Sequence, residues 1–117
     1  MSIERTIAGK ARDLVSTQQA EYRSACESLP MLLRTAGLAQ TAAFLKGKSA
    51  AQKTLYEHLE MQIRELGLLK GNETLIAKST DPALAMPQYR LLVEMTMLIA
   101  FWHKRMAQAL LPRGGEQ

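Results

Sequence analysis

The chain has 117 residues, with 47% hydrophobic and 22% charged side chains, a formal charge of +4 and a pI near 9.5. That is enough apolar content for one packed domain and too little length for two comfortable ones, and it excludes a disordered chain. A single cysteine excludes an internal disulfide, and the longest apolar run, residues 95–102, is far too short to span a bilayer.

Helix formers dominate, glycine and proline are sparse, and no β-branched run alternates with period two. The expectation is an all-α, compact, single-domain bundle of about five to six helices covering residues 1–117, with long first and last helices and a flexible tail at 113–117. In chain order, a first helix is predicted from Ser2 to about Glu27. Ser2 serves as its N-cap, Glu4 lies in its first turn, and Ile3, Ile7, Ala11, Leu14, Gln18, Tyr22 and Ala25 form one buried stripe. Cys26, at helical spacing from Tyr22, reads as a buried, inert thiol. Ser28 is expected to cap a short second helix with Pro30 in its first turn and Gly37 at its end. A third helix follows over Leu38–Lys46, with Leu38, Thr41, Ala42 and Leu45 on its inner face.

Ser49 and Gln52 form a capping-box pattern for a fourth helix from Ala50 to about Leu69. Ala51, Leu55, Leu59, Ile63 and Leu66 point inward, and Gly71 closes the helix. Asn72 is placed to cap a short segment. The break STDPALAMP precedes a last helix that opens at Pro87, runs to about Leu111 and stops at Pro112. On it, Leu91, Met95, Leu98, Ile99, Trp102, Met106 and Ala109 are expected on the core face. Arg90, Glu94, Lys104, Arg105 and Gln108 fall on the opposite face. Met97 and Phe101 also fall on that polar face, which suggests either a protein interface or cover by another part of the fold.

Little in the sequence carries catalytic or metal chemistry. The two histidines, His58 and His103, lie on predicted helices with no partner at motif spacing, and read as surface or partly packed side chains. There is no phosphate-cradling glycine loop and no nucleophile elbow. No catalytic residue, metal or cofactor is expected. The charge is uneven instead. Residues 1–28 are neutral, 29–70 carry +3 and 71–117 carry +1. Between Glu27 and Glu57 there is no carboxylate, yet Arg34, Lys46, Lys48 and Lys53 fall in this window; Lys104 and Arg105 form a second cluster. Distributed Lys and Arg of this kind suit a phosphate backbone, and equally a solvated face. Phe44 and Phe101 stand nearby, either to stack on bases or to pack.

The run LPMLLRTAGLAQTAAFLKGK, residues 29–48, resembles the small all-helical subunit of type III-B CRISPR effector complexes, the Cmr complexes. The shared features are Leu29-Pro30, Gly37-Leu38, Gln40, Phe44-Leu45 and Lys46-Gly47-Lys48. In the last helix they are Tyr89-Arg90, Glu94, Trp102-His103-Lys104-Arg105 and Ala107. Two positions depart from the family pattern: Ala36 where Asn is frequent, and His103 where an apolar residue is frequent. The second exchange is expected to leave His103 more exposed. The resemblance implies a cytoplasmic, non-catalytic subunit that stacks on itself as a short filament beside larger subunits. It would contact the guide RNA/target RNA duplex through basic residues. Arg34, Lys46, Lys48, Lys53, Lys104 and Arg105 are the expected RNA contacts, with Gln40 as a polar helper. The alternative is a protein–protein scaffold with no RNA contact.

Overall fold

The computed structural model describes residues 2–113. It contains six helices: α1 (Ile3–Val15), α2 (Ala20–Ala36), α3 (Leu38–Gly47), α4 (Ala50–Glu65), α5 (Leu75–Ser79) and α6 (Met86–Leu110). The tail expected at 113–117 lies, beyond Arg113, outside the described residues.

The long first helix expected from Ser2 to Glu27 is two helices. Ser2 caps α1 as anticipated, its hydroxyl accepting from the Arg5 N–H at 3.4 Å. The helix stops at Val15 because Ser16, Thr17, Gln18 and Gln19 offer the backbone competing partners. The Ser16 hydroxyl donates to the Asp13 carbonyl at 3.0 Å, and the Gln18 N–H turns back to Val15 at 2.9 Å. Ile3 lies outside the buried stripe, at 57% exposure.

Ser28 caps nothing. Its hydroxyl donates to the Ser24 carbonyl at 2.9 Å, and α2 runs straight through it and through Pro30 to Ala36. Pro30 has no N–H to give Cys26 and is itself buried, so the helix is held here by its neighbours rather than by its own ladder. Gly37 ends α2 and starts α3 with φ +84° and ψ 168°, a conformation reserved for glycine. The face of α3 formed by Leu38, Thr41, Ala42 and Leu45 is buried as expected. The Thr41 hydroxyl ties it to the Leu32 carbonyl of α2 at 3.2 Å.

At the start of α4, the Gln52 carboxamide reaches back to the Ser49 N–H at 3.2 Å. The helix ends at Glu65, four residues short of the expected Leu69. Gly67, not Gly71, closes it: the Leu68 N–H bonds to Ile63 and the Gly67 N–H to Arg64, with Gly67 at φ +83°. This pair of bonds satisfies the last free carbonyls of a helix and selects glycine between them. Thr74 rather than Asn72 caps α5, its hydroxyl accepting from Ala77 N–H at 3.0 Å.

The last helix has the expected limits, but its core face is turned. The buried residues are Leu92, Thr96, Ile99, Ala100, His103 and Ala107. Leu98, Trp102 and Met106 are half-buried flanks, while Leu91 and Ala109 are exposed. The reason is packing. α6 lies mainly against α1 and α2, and also touches α4. Small side chains such as Ala100 and Ala107 let the neighbouring backbones approach, so the centre of the face is not its most apolar line. One continuous core, from Ile7 of α1 to Leu111, draws on all six helices.

Candidate nucleic-acid interface

The basic residues singled out in the sequence are set on helix flanks around this core. α3 exposes a strip opposite its buried face. Gln40 and Phe44 share it, one turn apart, and Lys48 at the helix end lays its ammonium over the Phe44 ring, 5.2 Å from the centroid. Phe44 is 42% exposed and edges a shallow depression with Ser28, Met31, Leu32, Thr35 and Gln52, whose lining has no carboxylate.

A second group occupies the other flank of α3. Lys46 and Lys53 line one groove of about 280 Å³ between α3 and α4, together with Tyr56, Glu57 and Glu60. The Lys46 ammonium stands 5.1 Å from the centroid of the Tyr56 ring, which fixes its direction by cation–π attraction. Tyr56 is itself held. Its hydroxyl donates to Glu60 at 2.7 Å and accepts from the Ile76 N–H at 3.2 Å. Burial, then the Glu60 bond, push this phenol up to about 12. Glu60 also accepts from the Leu75 N–H at 2.8 Å, so part of its negative charge is spent on α5.

Arg34 lies on α2 and Lys104 on α6, two helices that pack along a shared seam. The register of that seam is set by Arg23, which donates to the Leu111 carbonyl at 2.8 Å, and by Gln108, which donates to Glu27 at 3.3 Å. The two helices therefore run antiparallel. Arg34 continues the strip of Arg23 and Glu27, and Lys104 stands one turn from Gln108. Arg105, next in sequence, is turned away from that seam. It lines a small hollow with Glu4, Leu98, Phe101 and Trp102 on the α1 side. The structure thus brings Lys46 to Lys53, puts Gln40, Phe44 and Lys48 on one strip, and leaves Arg105 apart. Of the expected interface pair, Phe101 is 39% exposed, whereas Met97 is half-buried and packs against the core.

Ion pairing engages a minority of the cations. Among the described residues the ion pairs are Lys10–Glu65, Arg12–Asp13, Arg23–Glu27 and Lys78–Glu73. None of Arg34, Lys46, Lys48, Lys53, Lys104 and Arg105 is in one, and neither are Arg5, Arg64, Lys70 and Arg90.

The histidines depart from the sequence-based expectation. His103, expected on the surface and more exposed than usual, is fully buried against Tyr22. Burial, followed by the nearby His58, pushes its imidazole down to about 3. His58 is half-buried, and burial lowers it too. The i,i+4 spacing of His58 and Gln62 was the available signal. Cys26 is buried as expected, and burial raises its thiol to about 12. No three His, Cys, Asp or Glu side chains among the described residues converge as a metal site requires. No helix among them is long and apolar enough to cross a membrane.

A family model described as CRISPR-associated protein (Cas_Cmr5) matches residues 4–110. A solved structure described as a CRISPR-associated Cmr5 family protein from Thermus thermophilus is 29% identical. It superposes with a TM-score of 0.78, covering 96% of this chain and 100% of that one. No curated protein matches the sequence.

Proposed function

Since this chain belongs to the Cas_Cmr5 family, and so is a CRISPR-associated Cmr complex subunit, we propose that it is the non-catalytic small subunit of a type III-B complex in the cytoplasm. In this reading it stacks on copies of itself beside larger subunits and holds the guide RNA/target RNA duplex through its basic flanks. The observation that carries the proposal is the gathering of cations on α3 and its flanks, in a stretch from Ser28 to Tyr56 without a carboxylate. Arg34, Lys46, Lys48 and Lys53 fall in that stretch, Lys46 and Lys53 share one groove, and these four, like Lys104 and Arg105 on α6, have no ion-pair partner among the described residues. An unpaired cation keeps its full attraction for a phosphate, and its counterion release drives binding that ignores base sequence.

A few such contacts give a single copy weak affinity, on the order of 10⁻⁴ to 10⁻⁶ M, which stacking would raise through effective concentration. Gln40 adds a neutral hydrogen-bonding group on the strip that carries Lys48. Phe101, exposed beside Arg105, is the leading candidate for the contact between copies, with Met97 supporting it from below. The exposure of Phe44 and Phe101 also suits a protein scaffold without RNA.

Filter binding of single-stranded RNA over a salt series distinguishes the two readings. The expected result is a linear fall of log K with log salt, whose slope flattens by roughly one to two units in Lys46→Ala/Lys48→Ala. Absent or salt-independent binding, in the assembled complex as well as alone, would leave the scaffold.

A further inference from the structure

Phe44 and Met31 leave large apolar side chains at the surface of one depression. α3 turns Leu38, Thr41, Ala42 and Leu45 into the core, and Phe44 falls off that face with 42% exposure. On the α2 side Met31 is 58% exposed. The space they border measures about 420 Å³ and is completed by Ser28, Leu32 and Thr35 of α2 and Gln52 of α4. Apolar surface gathered in this way gains stability when a ligand covers it.

The polar groups of the wall say what kind of ligand that is. The Ser28 hydroxyl gives its hydrogen to the Ser24 carbonyl and the Thr35 hydroxyl gives its own to the Met31 carbonyl, each at 2.9 Å. Both oxygens are left as acceptors. The Gln52 carboxamide oxygen accepts from the Ser49 N–H at 3.2 Å, so its nitrogen keeps two hydrogens to donate. The wall therefore offers an aromatic ring, a thioether, neutral acceptors and one neutral donor, with no charge among them. Charge stands at the rim instead, where the Lys48 ammonium lies 5.2 Å from the Phe44 centroid. A neutral interior with a cation at its mouth suits a flat heterocycle that carries an anion on a short tether. A nucleotide has that layout: the base has a π-face and a hydrogen-bonding edge, and the phosphate lies outside. A charged protein side chain would find no counter-charge within the depression.

We propose that this depression is a base-stacking site for single-stranded RNA, in which one unpaired nucleobase lies against Phe44 and Met31 while its phosphate meets Lys48. The proposal rests on the reading of this chain as an RNA-contacting subunit and deepens it. A base inside a duplex is covered on both faces by its neighbours, so the site engages a strand only where it is unpaired. Every base has a π-face and both donors and acceptors on its edge, so the site does not select sequence. The cation–π contact keeps Lys48 beside the ring, at the mouth where the phosphate arrives. Stacking is not a charge–charge attraction, and it persists at salt concentrations that weaken the phosphate contacts.

Fluorescence anisotropy with the full-length protein tests this on two labelled strands of equal length, an unstructured RNA of mixed sequence and an abasic ribose-phosphate strand. The wild type is expected to bind the base-bearing strand at least about fivefold more tightly, with the same salt slope for both. Phe44→Leu, at an exposed position, should erase the preference, and Phe44→Tyr should keep it. In ¹³C-methyl spectra the Met31 signal should shift with the base-bearing strand and stay in place with the abasic one. Equal affinity for the two strands, with a normal salt slope, overturns the base site and leaves the phosphate contacts standing. Failure to bind either strand overturns both. A Phe44→Leu protein that keeps the wild-type preference for bases but no longer associates with other copies or subunits gives the depression to a protein partner, and also overturns the proposal.

Discussion

At the scale of single residues, the burial of His103 has a measurable consequence. In the unfolded chain the imidazole takes a proton near 6.5, whereas in the folded protein it resists down to about 3. Between these values the unfolded chain binds the extra proton. The contribution is therefore whole above about 6.5 and is lost progressively as the pH falls towards 3, at up to about 1.4 kcal/mol per unit. His58, also lowered, acts in the same sense. Urea midpoints should fall steadily from about pH 7 to about pH 4, and His103→Gln should flatten the fall. A wild-type midpoint that does not move would refute the neutral, buried state. This residue also shows where the sequence was mute. His103 is packed as an apolar residue would be, but its polar atoms need partners at Tyr22 and Gln62, 81 and 41 positions away. Nothing local announces such partners. Lys46, by contrast, was legible as a cation, and only its seat on Tyr56 was not.

Helices were legible where their ends carry a local device and illegible where tertiary packing overrides one. Ser2, Gly37 and the Ser49–Gln52 pair were read correctly because each satisfies its own helix end. Ser28 with Pro30 looks like a helix start as well, yet the packing of Leu29, Pro30 and Leu33 into the core keeps α2 continuous. The core face of α6 was misjudged for a related reason. Apolar periodicity finds the most hydrophobic line, while close approach to α1 and α2 selects Ala100 and Ala107. Gly37 tests the end-device argument. A Cβ there would meet no atom within 4 Å, so the cost of Gly37→Ala is backbone strain alone, about 1–3 kcal/mol at φ +84°. Gly47 is equally uncrowded but lies within α3, so Gly47→Ala should be neutral or stabilising by up to about 1 kcal/mol. Chemical denaturation of the two variants should move the midpoint down for Gly37→Ala and not for Gly47→Ala; equal midpoints would show that the α2–α3 corner tolerates another conformation.

For the molecule as a whole, the question is whether helices that touch different neighbours still stand or fall together. α1 is held chiefly by α6, and α5 chiefly by α3, so the two ends of the bundle share few direct contacts. Two features tie them. The core is continuous from Ile7 and Val15 through Leu29, Leu55 and Leu59 to Leu75. The polar links also cross elements: Glu60 and Tyr56 of α4 hold the start of α5, and Tyr22, His58 and His103 pin α2, α4 and α6 to each other. Removing either end would expose part of one shared core rather than a separate one. Thermal unfolding at neutral pH is accordingly expected as one transition, with calorimetric and van't Hoff enthalpies equal at roughly 80 kcal/mol for a chain of this length. Two resolved transitions, or a van't Hoff value well below the calorimetric one, would mean that α3 and α5 unfold apart from the α1–α2–α6 side. In that case Lys46 and Lys48 would belong to a different cooperative unit from Arg34 and Lys104.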